Sequence, residues 1–367
     1  MHRAVLPSLS LLLAACGGSD SSGAGAQTTT SSTTTTSSTT TTSSTTTTSC
    51  DPTIRTFEVP DYTQPFDVIH VELAPSAIDP ASDAYPQSLH QLYLPNDPAV
   101  VPRDELFVML PGTDNLAQGF DLVARLAARA GYPVVTLAYE SATHPTLCQA
   151  VATTEQELVA CRQGVVHEKV YGEDVTAAYP GDEPNSIAGR LVRLLQYADA
   201  HYPNAGADRF YDAGGPVWSS IVVAGFSQGA IMAGYIGSRE SLARNVLFAG
   251  GCDFYDSNGQ SLMMPWCTEP RATPAARTWG VMHLLDEPAE DTLTLETYGL
   301  VAFGGYADAA HASPSYCTGS HALQSDLPSQ GGGTKYHLSM AHDAEIPVDA
   351  NGVPLLAEDY HYLMTAE

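Results

Sequence analysis

The sequence predicts an α/β fold, a mostly parallel sheet flanked by helices, and three observations carry that prediction. Continuous apolar runs of strand type, residues 106–110 (LFVML), 133–139 (PVVTLAY) and 221–224, are separated by amphipathic or polar stretches. Strands covered on both faces read as unbroken apolar runs, as parallel sheets require. Residues 220–234 (SIVVAGFSQGAIMAG) then place G-x-S-x-G between such a strand and a run of small, helix-tolerant residues. The glycines on either side of Ser227 permit a turn tight enough to strain the serine backbone and hold its hydroxyl out at the sheet's end. The helix that follows aims its N-terminal amides at the same place.

The elements follow in order. Residues 68–73 and 89–94 read as strands and 106–110 as the next, ending at Pro111-Gly112-Thr113. Leu116, Phe120, Leu122, Val123, Leu126 and Ala127 recur at helical spacing over 115–130, and Gly131 closes the helix. Residues 133–139 form the next strand. Residues 141–184 break the alternation. They hold Cys148 and Cys161 and read as a cap-like insertion above the sheet's carboxyl edge. A helix is expected over 187–201, then the strand and turn around Ser227, then strands at 245–249 and 278–285. A helix near 295–303, a last strand at 335–340 (KYHLSM) and a closing helix at 353–364 complete the chain.

The chain has 367 residues, 44% of them hydrophobic, enough for one large core. Its 41 acidic against 15 basic residues give a net charge of −26. Such a surface repels nucleic acid, so no nucleic-acid partner is expected. Residues 1–15 begin with a basic Arg3 and continue into LPSLSLLLAA, a secretory signal too short to span a bilayer as an ordinary helix. Residues 16–49 are, after Cys16, almost wholly Gly, Ser and Thr, with no large apolar side chains to offset the entropy of ordering, and read as a flexible tether. The folded domain is expected over 50–367. Apart from Cys16, six cysteines remain: Cys50, Cys148, Cys161, Cys252, Cys267 and Cys317. An even number in an exported chain suggests disulfides. Short loops favour Cys148–Cys161 and Cys252–Cys267, which leaves Cys50 and Cys317. No C-x-x-C or C-x-x-H spacing appears, so no metal site is expected.

A serine hydroxyl becomes a nucleophile only with a base in hydrogen-bond reach and a carboxylate to orient that base. Asp286 follows the strand at 278–285 and His342 the strand at 335–340, giving the order Ser227, Asp286, His342. Glu287 and Asp291 are rival acids in the same loop. His337 and His283 lie inside expected strands, where packing suits them better. His311 and His321 fall in an irregular stretch with nothing to place them at the sheet edge.

On these residues the chain resembles the α/β-hydrolase superfamily, on its bacterial esterase and lipase side, over roughly 89–342. The segments that carry the likeness are Leu110-Pro111-Gly112-Thr113 and Trp218-Ser219-Ser220-Ile221 through Gly229. Pro111-Gly112 stands where the superfamily usually has His-Gly. The resemblance implies Ser227 as nucleophile, Asp286 and His342 as its partners, and the backbone amides of Gln228 and Thr113 as oxyanion donors. It implies cleavage of small-molecule or polymeric carboxylic esters without metal or organic cofactor. A polyester depolymerase, a serine peptidase on the same fold and a non-catalytic surface binding protein are the alternatives. Leu13-Ala14-Ala15-Cys16 in turn resembles the bacterial lipobox. That implies an envelope lipoprotein held to the membrane through diacylated Cys16; the alternative is a secreted protein. Mass spectrometry of the mature N-terminus is expected to show lipid on Cys16, and an unmodified terminus would defeat that expectation.

Overall fold

The computed structural model describes residues 60–309 and 315–366; Cys16, the tether, Cys50 and His311 lie outside them. The chain divides into the units Met1–Thr47 and Thr48–Glu367, and only the second holds described residues. The strands of its main sheet are β1 (Val68–Leu73), β2 (His90–Pro95), β3 (Leu106–Leu110), β4 (Val134–Thr136) and β5 (Ile221–Phe226), then β6 (Arg244–Phe248), β7 (Thr278–His283), β8 (Tyr306–Asp308) and β9 (Ala322–Ser325). They form one sheet in the order β1-β2-β4-β3-β5-β6-β7-β9-β8. β1 pairs antiparallel with β2 and β2 with β4; every other pairing is parallel. This is the mostly parallel α/β architecture that the apolar runs predict, and β5 lies at its centre.

The runs are unbroken because both faces are covered. In β3, Leu106, Val108 and Leu110 join one core cluster while Phe107 and Met109 join the other. In β5, Ile221 and Val223 face the first cluster and Val222, Ala224 and Phe226 the second. Side chains alternate across a strand, so one run feeds two cores. Helices α2 (Glu155–Tyr171), α3 (Ile187–His201) and α4 (Gln228–Arg239) supply the first face with Val166, Leu191 and Met232. Helices α1 (Asp121–Arg129) and α6 (Ala357–Thr365) supply the second with Val123 and Leu363. Helix α5 (Pro288–Thr297) follows β7 and starts, as a proline at its first turn suits, well before the expected 295–303.

The segment 141–184 is more than a covering loop. Thr154 and Glu157 close a capping box on α2, whose Val165, Val166 and Val170 are fully buried. The segment therefore builds part of the helical layer, and its His144, Thr146 and Arg162 line a cavity. Two expected disulfides are present: Cys148–Cys161 and Cys252–Cys267, with Cα separations of 5.8 and 5.9 Å. Cys317 is also disulfide-bonded.

One expected strand is absent, and the difference matters for the site. Residues 335–340 alternate polar and apolar as a half-buried strand would, yet they close on themselves. Ser339 donates its amide to the Lys335 carbonyl at 3.1 Å, Met340 to His337 at 3.2 Å and His342 to Leu338 at 2.9 Å. The last strand in sequence is instead β9, inside the stretch that reads as irregular. β8 and β9 have three and four residues, too few for a periodic pattern to register.

The Cys148–Cys161 bridge closes a short loop at the head of α2. Its removal in a Cys148→Ser/Cys161→Ser variant is expected to lower unfolding stability by about 3 kcal/mol. Urea denaturation with the slope held constant measures this; an unchanged midpoint would show that the bridge does not restrain the segment.

Candidate active site

Ser227 stands between β5 and α4 with φ 54° and ψ −120°, a conformation that a residue with a side chain adopts only under constraint. The constraint is close packing of backbone. A side chain at Gly225 would run into the Gly229 carbonyl, and one at Gly229 into the Leu110 carbonyl at the end of β3. The Ser227 amide donates to the Phe248 carbonyl of β6 at 3.0 Å, and its carbonyl accepts from Ile231 in the first turn of α4 at 3.0 Å. The turn is thus pinned to three strands and a helix. It is a strand–turn–helix elbow with Ser227 at its apex.

The loop after β3 leans on the same serine. A Cβ at Gly112 would come within 3.0 Å of the Ser227 Cβ and 2.9 Å of the Phe226 ring. Gln228 donates its side-chain amide to the Thr113 hydroxyl at 2.9 Å and to the Ser141 carbonyl at 3.1 Å. Tyr139 donates its hydroxyl to the Pro111 carbonyl at 2.7 Å. Gln228 is the first residue of α4, where backbone amides lack intrahelical acceptors. The two expected oxyanion residues are therefore tied to each other next to Ser227.

Asp286 lies in the turn after β7, its amide donating to the His283 carbonyl at 3.2 Å. The histidine on Asp286 is His337: its Nδ1 is 2.5 Å from Asp286 Oδ2. Its ring lies 4.9 Å, centroid to centroid, from that of Phe226, the neighbour of Ser227. Ser227, Asp286 and His337 all border one cavity of about 450 Å³. Burial alone would depress the His337 imidazole; the hydrogen bond and charge of Asp286, with Asp291 and Glu287 nearby, outweigh it and raise its pKa above the ordinary value.

His342, the histidine expected beside Asp286, lies apart from this arrangement. His342 is not among the residues that line the cavity. Its ring packs edge-on against Phe120 at 5.5 Å and so close to Gly119 that a Cβ there would stand 2.7 Å from Nε2. Burial, the largest influence, pushes its pKa down. The adjoining Asp343 accepts the amides of Asp121 and Leu122 at 2.7 and 3.0 Å, closing the N-terminus of α1. The segment 342–343 is an anchor between the C-terminal loop and α1. His337 was misplaced because 335–340 imitates a strand; its nearness to the sheet edge depends on local turns that leave no periodic trace.

The rival acids are also placed. Asp291 and Glu287 border the cavity but neither is the partner of His337. Asp291, in the first turn of α5, is buried with Oδ2 lacking a protein partner. Burial first, and the Asp286 charge second, push it up to about 7. Glu287 is likewise raised, by burial and by Glu290. His283 donates Nε2–H to the Leu327 carbonyl, 2.8 Å away, and His321 stacks between Trp279 and Phe303; both are packing residues.

No protein-family model matches the sequence, and no curated protein matches it. Among solved structures the chain is similar to a Klebsiella pneumoniae protein described as a dienelactone hydrolase, at 10% identity and TM-score 0.30, over 71% of this chain and 86% of that one. It is similar to an alpha/beta hydrolase enzyme from a Medee basin deep-sea metagenome library, at 12% identity and TM-score 0.30, over 63% and 78%. A third is a Bacteroides fragilis protein described as an acetyl xylan esterase, at 13% identity and TM-score 0.28, over 80% and 77%. Overlap at this level bears on neither the reaction nor the residues.

An NMR titration of the imidazoles separates the two histidines. His337 is expected to titrate above 6.5 and His342 below it. Asp286→Asn removes the charge that favours the imidazolium and is expected to lower the His337 midpoint by roughly a unit or more. Asp291→Asn is expected to move it in the same direction by less. A His337 midpoint indifferent to Asp286→Asn would break the pairing.

Proposed function

We propose that the protein is a serine hydrolase that cleaves carboxylic esters through an acyl-enzyme, with Ser227 as nucleophile, His337 as general base and Asp286 as its orienting carboxylate. The observation that carries this is the short His337–Asp286 hydrogen bond in the cavity bordered by the strained Ser227. A serine held in that backbone conformation, against the cost of strain, has its hydroxyl presented rather than packed.

The reaction follows from the roles. His337 Nδ1–H donates to Asp286, which leaves Nε2 as the acceptor of the Ser227 proton. Ser227 Oγ attacks the ester carbonyl, and the tetrahedral oxyanion is stabilised by the amides of Gln228 and Thr113. The His337 imidazolium then protonates the departing alcohol. Water, activated by the same base, attacks the acyl group and returns Ser227. Each oxyanion donor contributes about 3 kcal/mol to the transition state. Because the base must be neutral, its raised pKa makes turnover fall as pH drops toward and below that value. No step requires a metal or organic cofactor.

The sequence supports a place for this chemistry outside the cell. The lipobox-like Leu13-Ala14-Ala15-Cys16 and the Ser/Thr-rich tether would hold the domain off an envelope membrane, where ester substrates in the medium reach it.

Three substitutions test the assignment with a p-nitrophenyl ester and a fluorophosphonate probe. Ser227→Ala is expected to abolish labelling and lower kcat by roughly 10⁴-fold or more. His337→Ala is expected to lower kcat by roughly 10³-fold or more. His342→Ala, which unpacks Phe120, is expected to lower the unfolding midpoint and leave kcat within about tenfold of wild type. A dead His342→Ala beside an active His337→Ala would reverse the assignment. Turnover of peptide amides in place of esters would favour a peptidase, and no Ser227-dependent labelling would favour a binding protein.

A further inference from the structure

The loop after β3 carries Thr113 and is bent into a conformation that residues with side chains seldom adopt. Asp114 has φ 57°, in the left-handed region. Such a turn keeps one shape only where its surroundings hold it. Residues 139–141, after β4, do so at three points. Tyr139 donates its hydroxyl to the Pro111 carbonyl at 2.7 Å, the Asp114 amide donates to the Ser141 carbonyl at 3.2 Å, and the Ser141 hydroxyl donates to the Asn115 carbonyl at 3.1 Å. Behind this support the buried Lys169 of α2 donates to the Glu140 carbonyl and carboxylate, each at 2.5 Å. Tyr139 and Ser141 are themselves buried. One side chain then crosses from the elbow to both segments. Gln228, 1% exposed, spends its Nε2 hydrogens on the Thr113 hydroxyl at 2.9 Å and the Ser141 carbonyl at 3.1 Å.

We infer that the Gln228 side chain is a positioning residue for the oxyanion site: by holding the Thr113 hydroxyl and the Ser141 carbonyl it sets the Thr113 amide beside the Gln228 amide. This rests on the serine-ester reaction proposed above and names the group that keeps its two donors together. A developing oxyanion is stabilised most by donors already aimed at it, which need no rearrangement as the charge forms. The Gln228 amide has its direction from the elbow and the first turn of α4. The Thr113 amide lies on a separate loop beside the left-handed Asp114, so its direction has to be set from outside. The bond to the Thr113 hydroxyl sets it from the very residue that supplies the other donor. The Ser141 carbonyl holds the Gln228 side-chain amide and the Asp114 backbone amide together, so one oxygen registers the elbow and the loop against the same segment. Gln228 Nε2 thus acts through Thr113 and not on the substrate.

The test compares wild type, Gln228→Met, Thr113→Val, Thr113→Ser and the Gln228→Met/Thr113→Val double variant on p-nitrophenyl acetate, with fluorophosphonate labelling of wild type and Ser227→Ala. Each is also titrated with a trifluoromethyl ketone. Ser227 Oγ adds to that ketone's carbonyl carbon, the serine proton passes to His337, and the carbonyl electron pair becomes an oxyanion on the two amides. Gln228→Met keeps the length of the side chain and loses both donations; it is expected to lower kcat by roughly 10²-fold, with KM little changed, because a displaced donor acts only on the transition state. The Ki of the ketone is expected to rise by about the factor by which kcat/KM falls. Thr113→Val, which deletes the acceptor and keeps the backbone amide, is expected to lose at least about tenfold in kcat, and Thr113→Ser to recover most of that loss. The double variant is expected to lose little more than Gln228→Met alone, since both single changes cut one bond. With wild type labelled at Ser227, four results overturn the positioning role and leave the serine reaction standing: kcat unchanged in Gln228→Met, a rise in KM alone, a ketone Ki that does not follow kcat/KM, or Thr113→Ser as slow as Thr113→Val. The Thr113 pair decides the matter where Gln228→Met does not fold. Absence of Ser227-dependent labelling overturns the reaction and the role together.

Discussion

The close approach of three backbones at the elbow is the constraint on which the rest depends. Ser227 keeps φ at 54° because Gly225 lies against the Gly229 carbonyl and Gly229 against the Leu110 carbonyl, with no Cβ at either position. Strain of this kind costs about 1–3 kcal/mol. The surrounding burial is larger: all six residues of β5 are buried, and each Val, Ile or Phe among them contributes roughly 1.5–3 kcal/mol. The sheet therefore over-determines the turn. The same contacts bring the loop after β3, with Gly112 and Thr113, against the Ser227 turn, so the two segments are fixed by one packing arrangement.

A second arrangement holds the opposite wall. Arg162 follows Cys161, and Asp253 follows Cys252. The buried ion pair thus joins helix α2 to the loop after β6, each partner one residue from its own disulfide. A buried pair is weak as a source of stability, because desolvating both charges offsets most of their attraction. Its contribution here is positional. The forked contact fixes the guanidinium plane, while each disulfide closes the chain beside one member of the pair.

These arrangements differ in how far the sequence discloses them. The sheet was legible because its strands are covered on both faces, and unbroken apolar runs such as LFVML have few other uses. Ser227 was legible because its glycines bracket it at fixed spacing between such a run and a helix. Asp286 was legible because β7 is long enough to mark its own end. The two short-loop disulfides followed from proximity along the chain. The histidine that meets Asp286 was not legible. The segment 335–340 alternates like a strand, while what sets His337 on Asp286 is a succession of local turns far along the chain. The true last strands are too short to announce themselves, so the edge from which a histidine should emerge was assigned to the wrong residues. The role of Asp343, closing α1 from more than two hundred residues away, likewise leaves no pattern in the sequence.

The two aspartates after β7 show why the site holds more carboxyl groups than a triad requires. Asp286 is satisfied by His337, whereas Asp291 is buried without a partner for Oδ2 and pushed up to about 7. The charges of Asp286 and Asp291 both raise the His337 pKa, so full ionisation of both would favour its imidazolium more strongly. Burial keeps part of the Asp291 population neutral near pH 7 and moderates that influence. In the neutral form Asp291 also gains a proton to donate, which an ionised carboxylate lacks. One environment thus moderates the His337 imidazole through Asp291, whereas the Asp286 charge is committed to it.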